Sequence, residues 1–505
     1  KTIVLGPPGT GKTTTLLNLL EDYLKKTNPN RIGYFAFTQK AANEARERAM
    51  DRFNLSEDDL PYFRTLHSLA FRVLGLRKEN VMQRRHYEDL GKKIKIFVDY
   101  NDYDEEFSGL FTTKSDYLRI IHLARLRGIT PEQQFNSKEH TQDVSVKNLR
   151  ILANELDRYK KDYSLIDFTD MIFQFTKSDK SPRFDVVFID EAQDLSFMQW
   201  DMAKTIWNKT DDSFIAGDDD QAIFRWAGAD VNRFITQKGK LLNLTQSYRI
   251  PRVVHDVAMN IIGRVSNRLK KEWQPKTTEG KLSYYNEFKN IDFTSGKWLV
   301  LARTKYMLNE LEDTLYKKGL YYKNKFKKGY EQDLHEAITD WEKLRTGKNI
   351  SGDCIQRIAS YMGVNNFNKF RIKELNKDNY YALAELKLHF GLKTEDVWFD
   401  AFDEAPQKNV NYIRKMRKNG EKLNEDPRIL LSTIHGVKGG EADNVVLLSD
   451  LSLNTQKGYE KNPDDENRLF YVGATRTKEH LHIVKPKDIY KSFKIWQHTK
   501  NKLED

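Results

Sequence analysis

The chain has 505 residues, 39% hydrophobic and 31% charged, and no apolar run approaches the ~20 residues that a membrane-spanning helix requires, which argues against a membrane protein. Lys and Arg total 84 against 73 Asp and Glu, and the net charge of +11 suits either a polyanionic partner or a solubilising surface. A single cysteine, Cys354, excludes an internal disulfide and a Cys-rich zinc or iron–sulfur site, and points to a reducing, intracellular, cytoplasmic setting.

Lys1 stands directly in an apolar run with no initiator Met and no signal pattern, so the numbered sequence is expected to begin inside a longer protein. Short β-branched or aromatic runs predict strands at 2–5, 32–37, 185–189, 213–216, 298–302 and 429–432, with two more at 445–448 and 481–484. Helical patterns at 13–25 and 39–52 lie between the first of them, and this alternation predicts an α/β fold. Strand signals vanish over 76–145 and again over 330–424. There the amphipathic runs 86–100, 114–126, 334–344 and 380–388 predict mainly helical insertions. No fixed-period repeat is visible, which argues against a solenoid.

Gly6-Pro7-Pro8-Gly9-Thr10-Gly11-Lys12-Thr13 fits the phosphate-loop pattern, with a predicted strand before it and a predicted helix after it. Glycines let backbone N–H groups approach phosphate oxygens, and the following helix N-terminus adds partial positive charge. Lys12 would neutralise the β- and γ-phosphates of a nucleotide, and the Thr13 hydroxyl could ligate Mg²⁺. The run 185–189 delivers Asp190 and Glu191 at its end. Asp190 is placed to hold Mg²⁺, directly or through water, and Glu191 to orient and deprotonate an attacking water. Two carboxylates at a strand end more often form a helix cap; beside a phosphate loop they read as catalytic.

Further along stand Phe37-Thr38-Gln39-Lys40-Ala41-Ala42, Thr65-Leu66-His67-Ser68, Asp190-Glu191-Ala192-Gln193-Asp194 and Gly217-Asp218-Asp219-Asp220-Gln221. They are followed by Phe224-Arg225-Trp226-Ala227-Gly228-Ala229, Gln246-Ser247-Tyr248-Arg249, Thr433-Ile434-His435-Gly436-Val437-Lys438-Gly439 and Tyr471-Val472-Gly473-Ala474-Thr475-Arg476. In these motifs and their order the chain closely resembles the UvrD/Rep type of superfamily 1 DNA helicases. The two insertions match only weakly.

The resemblance implies two RecA-like domains, each carrying a helical subdomain, with ATP and Mg²⁺ as cofactors. It divides the chain into domain 1A at 1–75 and 146–245, insertion 1B at 76–145, domain 2A at 246–329 and 425–505, and insertion 2B at 330–424. Gln221 corresponds to the family's γ-phosphate sensor, and Arg249 and Arg476 to the arginines that reach that phosphate. Tyr248 matches the residue stacked on adenine, Gly439 and Glu441 lie at the nucleotide, and Thr14 stands where many relatives carry an arginine near the base. Phe224 and Trp226 match aromatics on which unpaired bases stack, and Phe37, Thr38, His67, Thr433 and His435 match positions along the strand groove. Ala227 replaces a common arginine, and Gly440-Glu441-Ala442 replaces Leu-Glu-Phe.

The activity so implied is ATP-driven translocation on single-stranded DNA, 3′ to 5′, with unwinding at single-strand/duplex junctions by a protein able to act as a monomer. Two rivals stand beside it: a DNA-stimulated ATPase that remodels protein–DNA complexes without processive unwinding, and a nucleotide-dependent binding module that does not hydrolyse. The basic, aromatic stretches 316–328 and 412–418 could grip duplex phosphates, although such a run is more often a solvated face.

Overall fold

Six short strands build the first sheet: β1 (Thr2–Leu5), β2 (Ile32–Ala36), β3 (Phe63–Thr65), β4 (Val186–Asp190), β5 (Asp212–Gly217) and β6 (Lys240–Asn243). In the computed structural model, which describes residues 1–98, 113–140, 144–293, 295–327 and 331–495, they lie in the order β3-β2-β4-β5-β1-β6. Every neighbouring pair is parallel. The register sets Ala36 opposite Asp190 and Leu5 opposite Gly217, so the loops after β1, β2, β4 and β5 leave along one edge. In parallel sheets ligands bind at that carboxyl edge.

Helix Lys12–Leu24 covers the sheet with Leu16, Leu17 and Leu20, one face at helical spacing. Helix Gln39–Phe53 buries Ala42, Ala45 and Ala49, whose small side chains allow close approach. Thr38 starts this helix by accepting the Ala41 N–H at 3.1 Å, and Asn54 ends it in the left-handed region at φ +52°. Between β3 and β4, helices Arg84–Ile94, Asp116–Arg127 and Val146–Asp162 enclose a separate core that includes Tyr87, Leu90, Leu118, Leu149 and Leu152. The apolar stripe at residue 149 and beyond therefore serves the insertion, which the sequence reading had ended at 145. Residues Lys1–Gly280 and Lys457–Lys478 form this first packing unit.

The second unit comprises Lys281–Gln456 and the segment from Glu479 onward. Its sheet contains β7 (Lys281–Tyr285), β8 (Trp298–Ala302), β9 (Tyr322–Asn324), β12 (Ile429–Thr433), β13 (Ala442–Leu448) and β14 (Thr477–Val484). The order is β7-β14-β13-β8-β12-β9, with parallel register at β7/β14, β8/β13, β8/β12 and β9/β12. The chain from Glu331 to Leu423 holds its own helical core, including Trp341, Ile355, Trp398 and Ile413, beside a small antiparallel pair, β10 (Ile350–Ser351) and β11 (Tyr380–Tyr381).

Two parallel sheets with helical insertions match the expected α/β class, and the expected strands all form. In the two six-stranded sheets the strands missing from the sequence reading, β3, β6, β7 and β9, are the edges. An edge strand is covered incompletely, so it needs no apolar run; β6 and β7 are largely exposed or half-buried. The amphipathic run at 380–388 divides: Tyr380–Tyr381 pairs with Ile350–Ser351, and the helix begins only at Leu383. The helix expected at 86–100 ends at Ile94, where Lys95 takes the left-handed region at φ +56°; residues 99–100, along with Lys328 and Tyr330, lie outside the described residues. The boundary expected at 246 also differs from the packing, because 246–280 and Lys457–Lys478 group with the first sheet. Within the second unit, Tyr316 stacks on the buried Tyr412 at 4.4 Å, so these aromatics of the two basic stretches serve packing. Among the described residues no helix is long and apolar enough to cross a membrane.

Burial holds the imidazoles of His67 and His122 down to about 4 and about 3. Both folded values lie below the ordinary ~6.5, so the unfolded chain takes up protons first. The stability lent by the neutral rings is complete above that ordinary value and is lost as pH falls toward the folded values. Denaturation of the first unit should therefore become easier between pH 6.5 and 5, by about 2 kcal/mol per ring. Proton NMR should find both rings neutral at pH 5.5; a ring protonated there would refute the assignment.

Candidate nucleotide and strand-binding site

The loop after β1 turns through Gly9 at φ +73° and Gly11 at φ +77°, a region costly for side-chain-bearing residues. A Cβ at Gly6 would lie 2.0 Å from the Lys12 side chain, and one at Gly9 would lie 2.6 Å from Cβ of Arg249. The glycines thus permit both the turn and the approach of two cations. Lys12 Nζ donates to the Gly6 carbonyl at 3.1 Å and pairs with Glu191 Oε1 at 3.4 Å. An arriving phosphate can take over that ammonium and release the Glu191 carboxylate.

β4 carries Asp190 to its end, almost fully buried, where its Oδ2 accepts the Thr13 hydroxyl at 3.3 Å and the Tyr34 hydroxyl at 2.9 Å. Burial and the adjacent Glu191 raise the Asp190 carboxyl above the usual carboxylate range, with Lys12 partly opposing them. A bound cation would favour its charged form. No group of three or more His, Cys, Asp or Glu with metal-ligand spacing occurs among the described residues. A cation at Thr13 and Asp190 would draw its remaining ligands from phosphates and water, which fits Mg²⁺. Glu191 sits in the left-handed region at φ +54°, a conformation costing roughly 1–3 kcal/mol in a non-glycine residue. Its Oε2 accepts from Gln193 Nε2 at 2.7 Å, and Gln193 Oε1 in turn accepts the Asp218 N–H at 3.0 Å. The glutamine therefore ties the carboxylate after β4 to the loop after β5.

That loop buries three consecutive carboxylates, Asp218, Asp219 and Asp220. Lys271 answers them, 2.8 Å from Asp218, 3.2 Å from Asp220 and in contact with Asp219. Arg268 grips Asp220 through two bonds of 2.7 and 2.5 Å. Burial alone would raise Asp218, but Lys271 and Lys12 outweigh it and hold this carboxyl below its ordinary value. Asp218 Oδ2 accepts from Gln221 Nε2 at 2.8 Å, and Gln221 Oε1 accepts from Arg476 at 3.0 Å. The amide of Gln221 is thus oriented at both ends. Sequence reading missed Lys271 and Arg268, although three acids beside a buried-strand signal do demand cations; what it could not supply was their location.

Ser247 Oγ donates to the Pro8 carbonyl at 2.8 Å and the Tyr248 N–H to the Gly9 carbonyl at 2.9 Å, so the segment carrying Arg249 lies against the phosphate loop. Tyr248 is 76% exposed, leaving its ring able to stack on a planar base. Lys12, Thr13, Asp190, Glu191, Gln221, Arg249 and Arg476 accordingly belong to one packing unit. Thr433, His435, Gly439 and Glu441 lie in the second unit, where the Thr433 hydroxyl accepts the Gly436 N–H at 3.1 Å and Gly439 takes φ +88°.

The aromatics after β2 and β5 have unequal placements. Phe224 is buried and stacks on the buried Phe37 at 5.6 Å, while Trp226, 48% exposed, meets Phe224 edge-on at 6.3 Å. Only Trp226 of the three offers a wide accessible face; the other two form the floor beneath it. Thr38 is engaged as a helix cap, and His67 is buried, neutral at pH 7 and edge-on to Phe168, so it can act only through hydrogen bonding.

Replacing Lys271 with Met should leave the buried carboxylates undercompensated and cost about 3–5 kcal/mol of stability, measured by urea denaturation. A loss below ~1 kcal/mol would show that Arg268 and solvent suffice.

Comparison with known proteins identifies the family. Residues 1–241 match the UvrD/REP helicase N-terminal domain, and 428–484 match the UvrD-like helicase C-terminal domain. Among similar proteins, ATP-dependent DNA helicase PcrA of Bacillus subtilis (strain 168) is 24% identical over 96% of this chain and 80% of its own. A probable DNA helicase II homolog of Rickettsia felis is 22% identical over 95% and 89%, and ATP-dependent DNA helicase Rep of Buchnera aphidicola is 24% identical over 55% and 45%. With both domain signatures in place around the phosphate loop, the Asp190–Glu191 strand end and the Arg476–Gln221 contact, the chain belongs to the UvrD/Rep family of superfamily 1 helicases.

Proposed function

We propose that this protein hydrolyses ATP to travel 3′ to 5′ along single-stranded DNA and to separate the strands of duplex DNA at single-strand/duplex junctions. The observation that carries the proposal is the linking of Lys12, Glu191, Gln221 and Arg476, by way of Gln193 and Asp218, in one series of contacts at the edge of the sheet that also presents Trp226. The direction follows the branch of the superfamily to which the motifs are similar. In this reading the four-part division into 1A, 1B, 2A and 2B applies, and the protein works as a monomer.

Lys12 leaves Glu191 to bind the β- and γ-phosphates, and Glu191, oriented by Gln193, takes a proton from the attacking water. Mg²⁺ held by Thr13 and Asp190 supplies charge neutralisation to the phosphoryl group when bound. Arg476 and Arg249 present planar, permanently charged groups to the charge that develops on the transferring phosphoryl. Gln221, bound to Asp218 and Arg476, registers whether the γ-phosphate is present. Trp226 stacks on a base without regard to sequence, as a moving protein requires. Tyr248 stacks on the base, and the second unit carries Thr433 and His435, which the family resemblance assigns to strand binding, and Gly439 and Glu441, which it assigns to nucleotide binding.

Glu191→Gln should lower DNA-stimulated turnover by about 10²-fold or more while ATP still binds, read by phosphate release and nucleotide affinity. Turnover at the wild-type rate would remove Glu191 from the reaction. Trp226→Ala should weaken affinity for oligothymidylate by roughly 1–3 kcal/mol in fluorescence anisotropy; unchanged affinity would take it off the track. Strand displacement should proceed on a 3′-tailed duplex and fail on a 5′-tailed one. Translocation without displacement on either would leave an ATPase that remodels bound proteins.

A further inference from the structure

Arg225 immediately precedes Trp226, and both its side chain and its backbone are held. Its guanidinium donates to Asp465 through Nε at 3.0 and 2.7 Å and reaches Glu139 at 3.4 Å. Its carbonyl accepts from Arg127 at 3.1 Å, and Arg127 also donates to Glu139 at 2.6 Å. The ring Arg225–Glu139–Arg127 thus closes on the backbone of the turn that displays Trp226. The same turn touches helix Asp116–Arg127 at Gly228, where a Cβ would come within 3.0 Å of Leu126.

Asp465 lies in the first turn of helix Pro463–Ala474, a buried rod of roughly 18 Å at 1.5 Å per residue. Just beyond its far end, Arg476 donates to Gln221 at 3.0 Å, and midway Arg468 donates to the Asp219 carbonyl at 2.8 Å. The rod therefore has one end on the turn carrying Trp226 and the other on the amide beside the phosphate loop. Arg225 and Asp465 are 40% and 33% exposed, and pairs that accessible contribute little to stability.

We propose that the Arg225–Asp465 pair is a positioning link through which a base stacked on Trp226 sets the Arg476–Gln221 contact and so raises ATP turnover. This rests on the function proposed above. A stacked base restricts the Arg225–Ala227 turn; the ion pair passes that restriction to the helix N-terminus, and the rigid helix fixes Arg476 against Gln221. Glu139 and Arg127 hold the turn from the insertion side, so that its movement is delivered to Asp465.

The test compares the wild type with Arg225→Ala, Asp465→Asn, their double variant and Arg225→Lys. ATP turnover is measured with and without saturating oligothymidylate, and oligothymidylate affinity separately by anisotropy. Each single variant should lose about 10-fold of the stimulated turnover while basal turnover and oligonucleotide affinity stay at wild-type levels. The double variant should be no worse than either single one, as for two ends of one link, and Arg225→Lys should recover part of the loss. Equal falls in basal and stimulated turnover, additive losses, or full stimulation in Asp465→Asn would overturn the link. Affinity loss that accounts for the whole effect would overturn it as well, assigning the pair to binding instead. A wild type that oligothymidylate does not stimulate would sink the parent function and this link with it, whereas a stimulated wild type with unaffected variants would sink the link alone.

Discussion

Charge buried at the carboxyl edge of a parallel sheet is the constraint on which this molecule depends. The register that sets Ala36 beside Asp190 and Leu5 beside Gly217 brings the loops after β1, β2, β4 and β5 together. Into that edge the chain folds Lys12, Asp190 and the row Asp218–Asp220. None of these groups tolerates burial alone. Each is answered: Asp190 by two hydroxyls, Lys12 by Glu191, and the acidic row by Lys271 and Arg268. Compensation therefore recruits Arg268 and Lys271 from a segment remote in sequence, which packs with the first sheet.

The same requirement explains how chemistry and strand binding can share a scaffold. Gln193 spans the loops after β4 and β5, and Gln221 is fixed between Asp218 and Arg476. Each group in the series is held by the next, so a change at one member falls first on its hydrogen-bonded neighbours. Trp226 stands a few residues further along the same loop, on a floor made by Phe224 and Phe37. Buried polar networks are costly when broken, so they favour discrete arrangements over gradual distortion.

The legibility of these features in the amino-acid order followed their locality. Interior strands announced themselves because they are buried on both faces and must be apolar, whereas β6 and β7 at the sheet edges carry polar residues and gave no such sign. Tyr316 and Tyr412 stand in runs of lysine and arginine that read as a duplex grip or, more often, as a solvated face, whereas the fold stacks the two rings on each other. Phe224 shares a motif with Trp226 and Phe37 stands in another strand-groove motif, yet burial distinguishes the floor they form from the platform.

Sequence by itself determined the parts whose physics is contained in a few consecutive residues: the glycine-bearing phosphate loop, the carboxylates at the end of β4, the helix beginning at Gln39 and the α/β alternation. Tertiary structure alone decided which distant cation balances which buried acid, which aromatic keeps a face to solvent, and that helix Pro463–Ala474 runs from Arg225 to Gln221. The reason is that turn geometry and periodicity are written in neighbouring residues. Charge compensation and burial depend on distances between atoms that only the folded chain brings together.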